Sequence, residues 1–305
     1  MNKSILIFVS LLSFTSLFCQ ESKKFDYELL GALVLDSNQL ISYKIVFNSN
    51  DSGFIEGYSY TDLSGENETK SYIRGYYNPK NKEIQFKESD ILYTKSTFLP
   101  DEFCFVSFKG RFKGNTKKKL LEGNFIGIYN DRDTCATGKV KLVSTKFVEK
   151  KIKKLYKKVE QIEKITKVDS IVKAEINPDT YLKKFSETKI KSGEKVSVFV
   201  YTDKMKMEIW DYGIEDGDII TILNNDVPIL ENFTVTKKKK TIIVHLNNEK
   251  NLLTVKTINS GKLKTNTTKL KLYDFRRQYE VIADLEEGKE ATINVVRLKV
   301  KKEQK

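Results

Sequence analysis

Ser42-Tyr43-Lys44-Ile45-Val46-Phe47, then Asn50-Asp51-Ser52-Gly53, then Phe54 to Thr61 is the stretch that decides the fold. Tyr43, Ile45 and Phe47 alternate with polar Ser42 and Lys44, the two-residue period of a half-buried strand. Asn, Asp, Ser and Gly between two such runs are turn residues: short polar side chains bond nearby backbone, and glycine supplies positive φ. Strand, tight turn and strand make an antiparallel hairpin, and the same grammar extends in both directions.

Downstream, strand runs are expected at Ser71 to Asn78, Glu83 to Lys87, Phe103 to Phe112, Leu120 to Tyr129 and Gly138 to Val143. Ser64-Gly65-Glu66-Asn67, Asn78-Pro79-Lys80-Asn81 and Lys113-Gly114-Asn115 separate them. Residues 20–145 therefore predict a mainly β module, an antiparallel barrel or sandwich of about eight strands. The character then changes. Val148, Ile152, Leu155, Val159 and Ile162 recur at intervals of four and three, with no Gly or Pro from Val140 to Asn177. That is a helix of about 25 residues, with an apolar stripe narrow enough for one neighbouring sheet or a short coiled coil with a second copy. Asn177-Pro178 is the first clear breaker. Residues 146–191 form a basic helical connector, and residues 192–305 return to about nine short strands, the pattern of an antiparallel β-sandwich. They run at Lys195 to Thr202, Lys206 to Asp211, Asp218 to Leu223, Phe233 to Thr236 and Thr241 to Leu246. Leu252 to Ile258, Thr267 to Tyr273, Tyr279 to Ala283 and Ala291 to Lys299 complete them.

The front of the chain has a positive start at Lys3, a short apolar run from Ile5 to Phe18 and an abrupt polar break. This describes a secretory signal peptide over residues 1–19, too short for a membrane span. Cleavage is expected at Cys19-Gln20; a membrane tether follows only if Cys19 is lipidated. Export to the periplasm or beyond places the remaining cysteines, Cys104 and Cys135, where a pair is bridged. Such a bridge closes a loop of about 30 residues, worth roughly 3–4 kcal/mol. Residues 146–191 carry 14 basic and 7 acidic side chains, half of the net charge of +13. A charge held by one connector, in an exported chain, argues against a nucleic-acid partner. The lysine face reads as a solvated surface, with attraction to anionic envelope surfaces as the functional alternative.

Asp211, Glu215, Asp216 and Asp218 fall within one loop between two apolar strands. Calcium takes six to eight oxygen ligands, so this loop is the candidate metal site and calcium the candidate cofactor; turn chemistry is the rival reading. Tyr58, Tyr60, Tyr72 and Tyr76 lie in neighbouring strands and form a candidate ligand-binding platform, with cross-strand packing as the alternative. His245 is the sole histidine, mid-strand, and no nucleophile elbow, phosphate loop or zinc spacing occurs. No catalytic residue is assigned.

The string Trp210-Asp211-Tyr212-Gly213-Ile214-Glu215-Asp216-Gly217-Asp218 is followed by Asn225-Asp226 and His245-Leu246-Asn247-Asn248. With Asn259-Ser260-Gly261 it resembles a β-sandwich domain common in exported proteins of Gram-negative bacteria. That family has Pro-Asn-Thr where this chain has Thr265-Asn266-Thr267. The first module is similar to the lipocalin-like small barrels of such proteins, although Gly31-Ala32-Leu33 stands in place of the Gly-x-Trp of true lipocalins. The resemblance implies architecture and no defined reaction. The expected function is a non-enzymatic binding or scaffolding protein of the envelope, with a glycan or another protein as partner. A small-molecule carrier using the barrel interior and a carboxylate-dependent hydrolase are the alternatives.

Overall fold

Eight strands carry the first part of the chain: β1 (Tyr27–Leu35), β2 (Leu40–Ser49), β3 (Phe54–Thr61), β4 (Thr69–Asn78), β5 (Glu83–Thr94), β6 (Phe105–Lys113), β7 (Leu120–Ile128) and β8 (Thr134–Ser144). The structure is a computed structural model describing residues 25–298 except 99–101, 115–118, 164–176, 179–180, 182–184, 186, 264 and 276. Cys19 and Gln20, with the expected signal segment, lie outside the described residues. Each of the eight strands pairs antiparallel with the next, and β8 returns to β1, so the sheet closes as a barrel. Closure removes the free edges that an open sheet of this length would expose.

One end of the barrel is filled. Leu29, Tyr43, Ile45, Phe47, Ile73 and Phe86 point inward and are buried with Phe108, Phe112 and Leu121. Tyr27 stacks on Phe47 at 4.6 Å and Phe86 tilts against Phe108 at 5.0 Å. A fully buried side chain of this size stabilises by about 1.5–3 kcal/mol, so this floor is the barrel's anchor. On β2 the outward-facing Lys44 and Val46 are buried too, so the expected alternation holds in phase while both faces are covered. The Lys44 ammonium donates to the Phe185 carbonyl at 3.0 Å, so the end of the connector comes down on this strand.

Strand β5 runs past the barrel. Its first half pairs with β6 over Glu83 to Lys87. At Asp90, with φ of 44°, the pairing with β4 shifts register, which is a β-bulge that bends a strand out of its sheet. Beyond it, Tyr93 and Thr94 pair with Val198 and Ser197 of β10 (Lys195–Val200). Leu92 and Tyr93 thus belong to the core of the second module.

Helix α1 (Thr145–Glu163) leaves the barrel from β8 and touches β1 and β8; the rest of the expected 25-residue helix lies outside the described residues. No helix among those residues is long and apolar enough to cross a membrane. The other strands are β9 (Lys189–Lys191), β11 (Lys204–Asp211), β12 (Ile219–Asn224), β13 (Val227–Thr234), β14 (Lys240–His245), β15 (Lys250–Asn259), β16 (Thr265–Asp274), β17 (Arg277–Glu286) and β18 (Glu290–Arg297). They form two runs, β13-β12-β15-β18-β10 continuing into the barrel sheet, and a separate β14-β11-β16-β17-β9 sheet. Both turn apolar faces into one core, with Met207, Ile209 and Leu270 on one side and Val198, Val255 and Ile293 on the other. The expected all-antiparallel arrangement is corrected here: β10 with β18 and β9 with β17 run parallel. Alternation reports which face is buried, and it carries no strand direction. Strand β9 also falls inside the stretch 146–191 read as connector.

A buried triad closes the junction. The Tyr93 hydroxyl donates to Glu68 Oε1 at 2.7 Å, and Thr188 Oγ1 lies within hydrogen-bond reach of both. Burial raises the Tyr93 phenol well above its ordinary range. Tyr93→Phe leaves the Glu68 carboxyl short of a donor and should lower stability of the full chain by about 1–3 kcal/mol. The readout is a lower urea midpoint at unchanged slope; a native midpoint would remove this triad from the account of the junction.

Candidate functional site

Above the aromatic floor the barrel opens into a pocket at one end. A cavity of about 720 Å³ occupies the end where the loops 36–39, 62–68 and 129–133 gather with residues 95–98 and 102–104. This lies within the roughly 300–1,000 Å³ range of small-molecule sites. Its wall divides by strand. Leu33, Ile41, Phe105, Val106 and Phe125, from β1, β2, β6 and β7, present carbon. Thr61, Thr69, Ser71 and Glu88, from β3, β4 and β5, present hydroxyls and one carboxyl, with Ile91 of β5 the carbon side chain among them. Phe98, Glu102, Phe103 and Asp131 come from the loops at the mouth.

Glu88 follows Ile84 and Phe86 in the inward phase of β5, which is why a charged side chain points into the barrel. Its Oε1 accepts from the Tyr43 hydroxyl at 2.7 Å and its Oε2 from the Val106 amide at 2.7 Å. Burial raises its pKa above the ordinary carboxylate value, while those donors pull the other way. Sequence reasoning passed over Glu88; the available signal was a carboxylate in the buried phase of an otherwise regular strand.

The mouth is stapled. Cys104, just before β6, bridges to Cys135 in β8, with sulfurs 2.03 Å apart and Cα atoms 6.1 Å apart. The bridge crosses β7, which lies between those two strands, at Gly127. A Cβ on Gly127 would come within 2.4 Å of Cys104 Sγ, so the crossing requires glycine there. The bridge fixes the end of the 95–104 loop whose Phe98 and Phe103 edge the cavity.

Asp211, Asp216 and Asp218 stay within electrostatic reach of one another, and Glu215 turns to the backbone. Glu215 accepts from the Lys237 backbone amide at 2.7 Å. Asp216 Oδ2 accepts from the amides of Lys262 and Leu263, both at 2.9 Å. Gly261, at φ of 63°, is the close neighbour: a Cβ there would meet Asp216 Oδ1 at 2.4 Å. Asp211 and Asp218 are buried, at 2 % and 3 % exposure. Asp211 Oδ2, Asp216 Oδ1 and Asp218 Oδ1 have no hydrogen-bond partner. Burial, with the charges of Asp216 and Asp211, pushes the Asp218 carboxyl up to about 7. A cation of the chain's own already stands beside them: the Lys237 ammonium donates to Asp211 Oδ1 at 3.2 Å and to the Gly213 carbonyl. Among the described residues no three His, Cys, Asp or Glu side chains are grouped to hold a metal ion. The Lys237 ammonium is the cation that the structure places beside the orphaned oxygens.

The remaining turn motifs serve packing. Asn225 and Asp226 both take positive φ, at 51° and 65°, and turn β12 into β13. Asn225 Oδ1 accepts from Leu252 N at 2.9 Å, while the buried Asn251 donates to the Asn248 carbonyl at 2.8 Å. His245 is exposed at the end of edge strand β14.

Tyr58, Tyr60, Tyr72 and Tyr76 share the outward face of β3 and β4, as the register Tyr58↔Tyr72 requires. The group does not act as one platform. Tyr58 and Tyr72, with centroids 5.0 Å apart, pack against the second core. Tyr60 lies under the ammonium groups of Lys44 and Lys70, and exposed Tyr76 meets Phe54. Tyr58 and Tyr72 also edge a cleft of about 400 Å³ with Asn48, Glu56, Arg74 and Arg277. On α1, Lys150, Lys151, Lys153, Lys154, Lys157 and Lys158 are all exposed.

Comparison with protein-family models, with curated proteins and with solved structures finds no match for this chain.

Lys237→Gln strips the ammonium from the buried Asp211 carboxylate, at a cost of about 1–3 kcal/mol. The melting midpoint of the full chain should drop by several degrees. Millimolar calcium should recover part of that drop, because a divalent ion bound only to the folded state stabilises it by mass action. Recovery absent in calcium and in magnesium alike would leave the loop as turn chemistry.

Proposed function

We propose that this chain is an exported, non-enzymatic binding protein of the cell envelope whose barrel carries a small, mainly apolar molecule. The observation that carries this reading is the cavity of about 720 Å³ above a fully packed aromatic floor. Burial of a ligand's carbon against Leu33, Ile41, Phe105 and Phe125 supplies affinity at roughly 25 cal/mol per Å², and the polar arc orients its head. The second module is read as a β-sandwich of the kind that the Trp-Asp string suggests, serving as scaffold. Export is supported by the apolar start and by a bridged cysteine pair.

The test uses the mature chain with its disulfide intact and the neutral probe N-phenylnaphthylamine. Fluorescence should rise and saturate at one probe per chain. Ala136→Phe places a ring in the cavity and should weaken binding at least tenfold, while overpacking costs the fold no more than about 1–3 kcal/mol. Equal binding by native and variant chains would move the ligand out of the barrel.

A second reading keeps a glycan as partner. The junction cleft sets the rings of Tyr58 and Tyr72 beside Asn48, Glu56 and Arg74, and such a mix of faces and hydrogen-bonding groups suits sugar rings. Arg74 is exposed, so Arg74→Ala leaves the core alone and should reduce retention on envelope polysaccharide several-fold. Unchanged retention by that variant and by Asn48→Ala would discard the cleft.

A further inference from the structure

We propose that the barrel cavity selects amphiphiles with a cationic or neutral hydrogen-bond-donating head over anionic ones such as fatty acids, an inference that rests on the carrier reading above. The chain as a whole is basic, with 54 Lys and Arg against 41 Asp and Glu. The cavity reverses that balance. Glu88 sits at its floor and Glu102 and Asp131 at its mouth, while among the described residues no Lys, Arg or His lines it. Arg132, next to Asp131 on the same loop, is exposed and does not line the cavity.

A carboxylate ligand would enter past the side chains of Glu102 and Asp131 and come to rest near the Glu88 carboxyl. Its charge would find no counter-ion in the wall, and like charges in a poorly solvated site repel strongly. An ammonium head meets the reverse condition. Glu88 retains acceptor capacity for it: a carboxylate offers about four lone-pair sites, the Tyr43 hydroxyl and Val106 amide engage one on each oxygen, and the Ser59 hydroxyl beside them leaves room for one further donor. A hydroxyl head lacks the charge but can donate to the same oxygens. The hydroxyls of Thr69 and Ser71, on the same arc as Glu88, add acceptors for the remaining protons of either head. The alkyl tail lies against Leu33, Ile41, Phe105 and Phe125 on the opposite arc.

The experiment compares three ligands of one chain length, dodecylammonium, dodecanol and dodecanoate, by displacement of N-phenylnaphthylamine from the mature chain at pH 7. The expected order is dodecylammonium first, dodecanol next and dodecanoate at least tenfold weaker than dodecylammonium. Glu88→Gln should shrink that ratio several-fold. Because Glu88 also holds Tyr43 and Val106, a double variant at the exposed mouth, Glu102→Gln with Asp131→Asn, supplies a second measure without disturbing the floor. It should shrink the ratio in the same direction and flatten its salt dependence. Dodecanoate binding as tightly as dodecylammonium, or a ratio untouched by both variants, would overturn the charge selection and leave the carrier reading standing. Failure of all three ligands to displace the probe would overturn both.

Discussion

Strand β5 answers to two sheets. Glu83 to Lys87 close the barrel against β6, while Tyr93 and Thr94 add to β10 of the second module. No single straight strand satisfies both, and the two extra residues at Asp90 and Leu92 resolve the conflict by bending the chain between them. The Asp90 carboxylate then faces Arg277 at 3.3 Å, and the same guanidinium lies over the rings of Tyr72 and Tyr201. Arg277 opens β17, so the bend in β5 is held from the second module. The orientation of the modules thus follows from backbone pairing, and the side chains around Glu68, Tyr93 and Thr188 lock what the pairing sets.

The acidic loop shows how a string of carboxylates can be consumed by architecture. Asp216 gathers the backbone amides of the 261–263 turn, Glu215 caps a backbone amide at Lys237, and Lys237 returns its ammonium to Asp211. Three loops distant in sequence are thereby tied at one end of the second core. The orphaned oxygens of Asp211, Asp216 and Asp218 measure what this arrangement leaves unmet. Unpaired carboxylates that cannot reach water are costly, so the raised pKa of Asp218 and the Lys237 ammonium beside Asp211 both answer the same local excess of negative charge.

Local rules made most of this structure legible. Tyr43, Ile45 and Phe47 point inward as their alternation requires, and Phe54–Thr61 ends where the turn residues begin. The second half of β5 escaped because Ile91, Leu92, Tyr93 and Thr94 are buried in succession. A strand covered on both faces has no alternation to read. Strand β9 is three residues long and is defined by a parallel partner about 90 residues away, a relation that no local pattern carries. The disulfide was expected from the cysteine count and an expected export, whereas the need for Gly127 beneath it followed only from the crossing of β7. Of the site, the tyrosine face was visible in sequence and Glu88 was not, because its role depends on where the barrel stops being full.

That boundary has an energetic meaning. The cavity of about 720 Å³ is open at its mouth, so water or a ligand can enter it. Its polar arc can hold water, since Thr61, Thr69, Ser71 and Glu88 supply the several partners that a buried water needs. Its apolar arc cannot, and water against Leu33, Ile41 and Phe125 is held poorly and released at a gain. Collapse would also fill the space, but the aromatic floor, the bridge across β7 and the bend in β5 hold the wall from three sides. A wall held open over carbon on one arc and acceptors on the other is the physical basis for reading this barrel as a container.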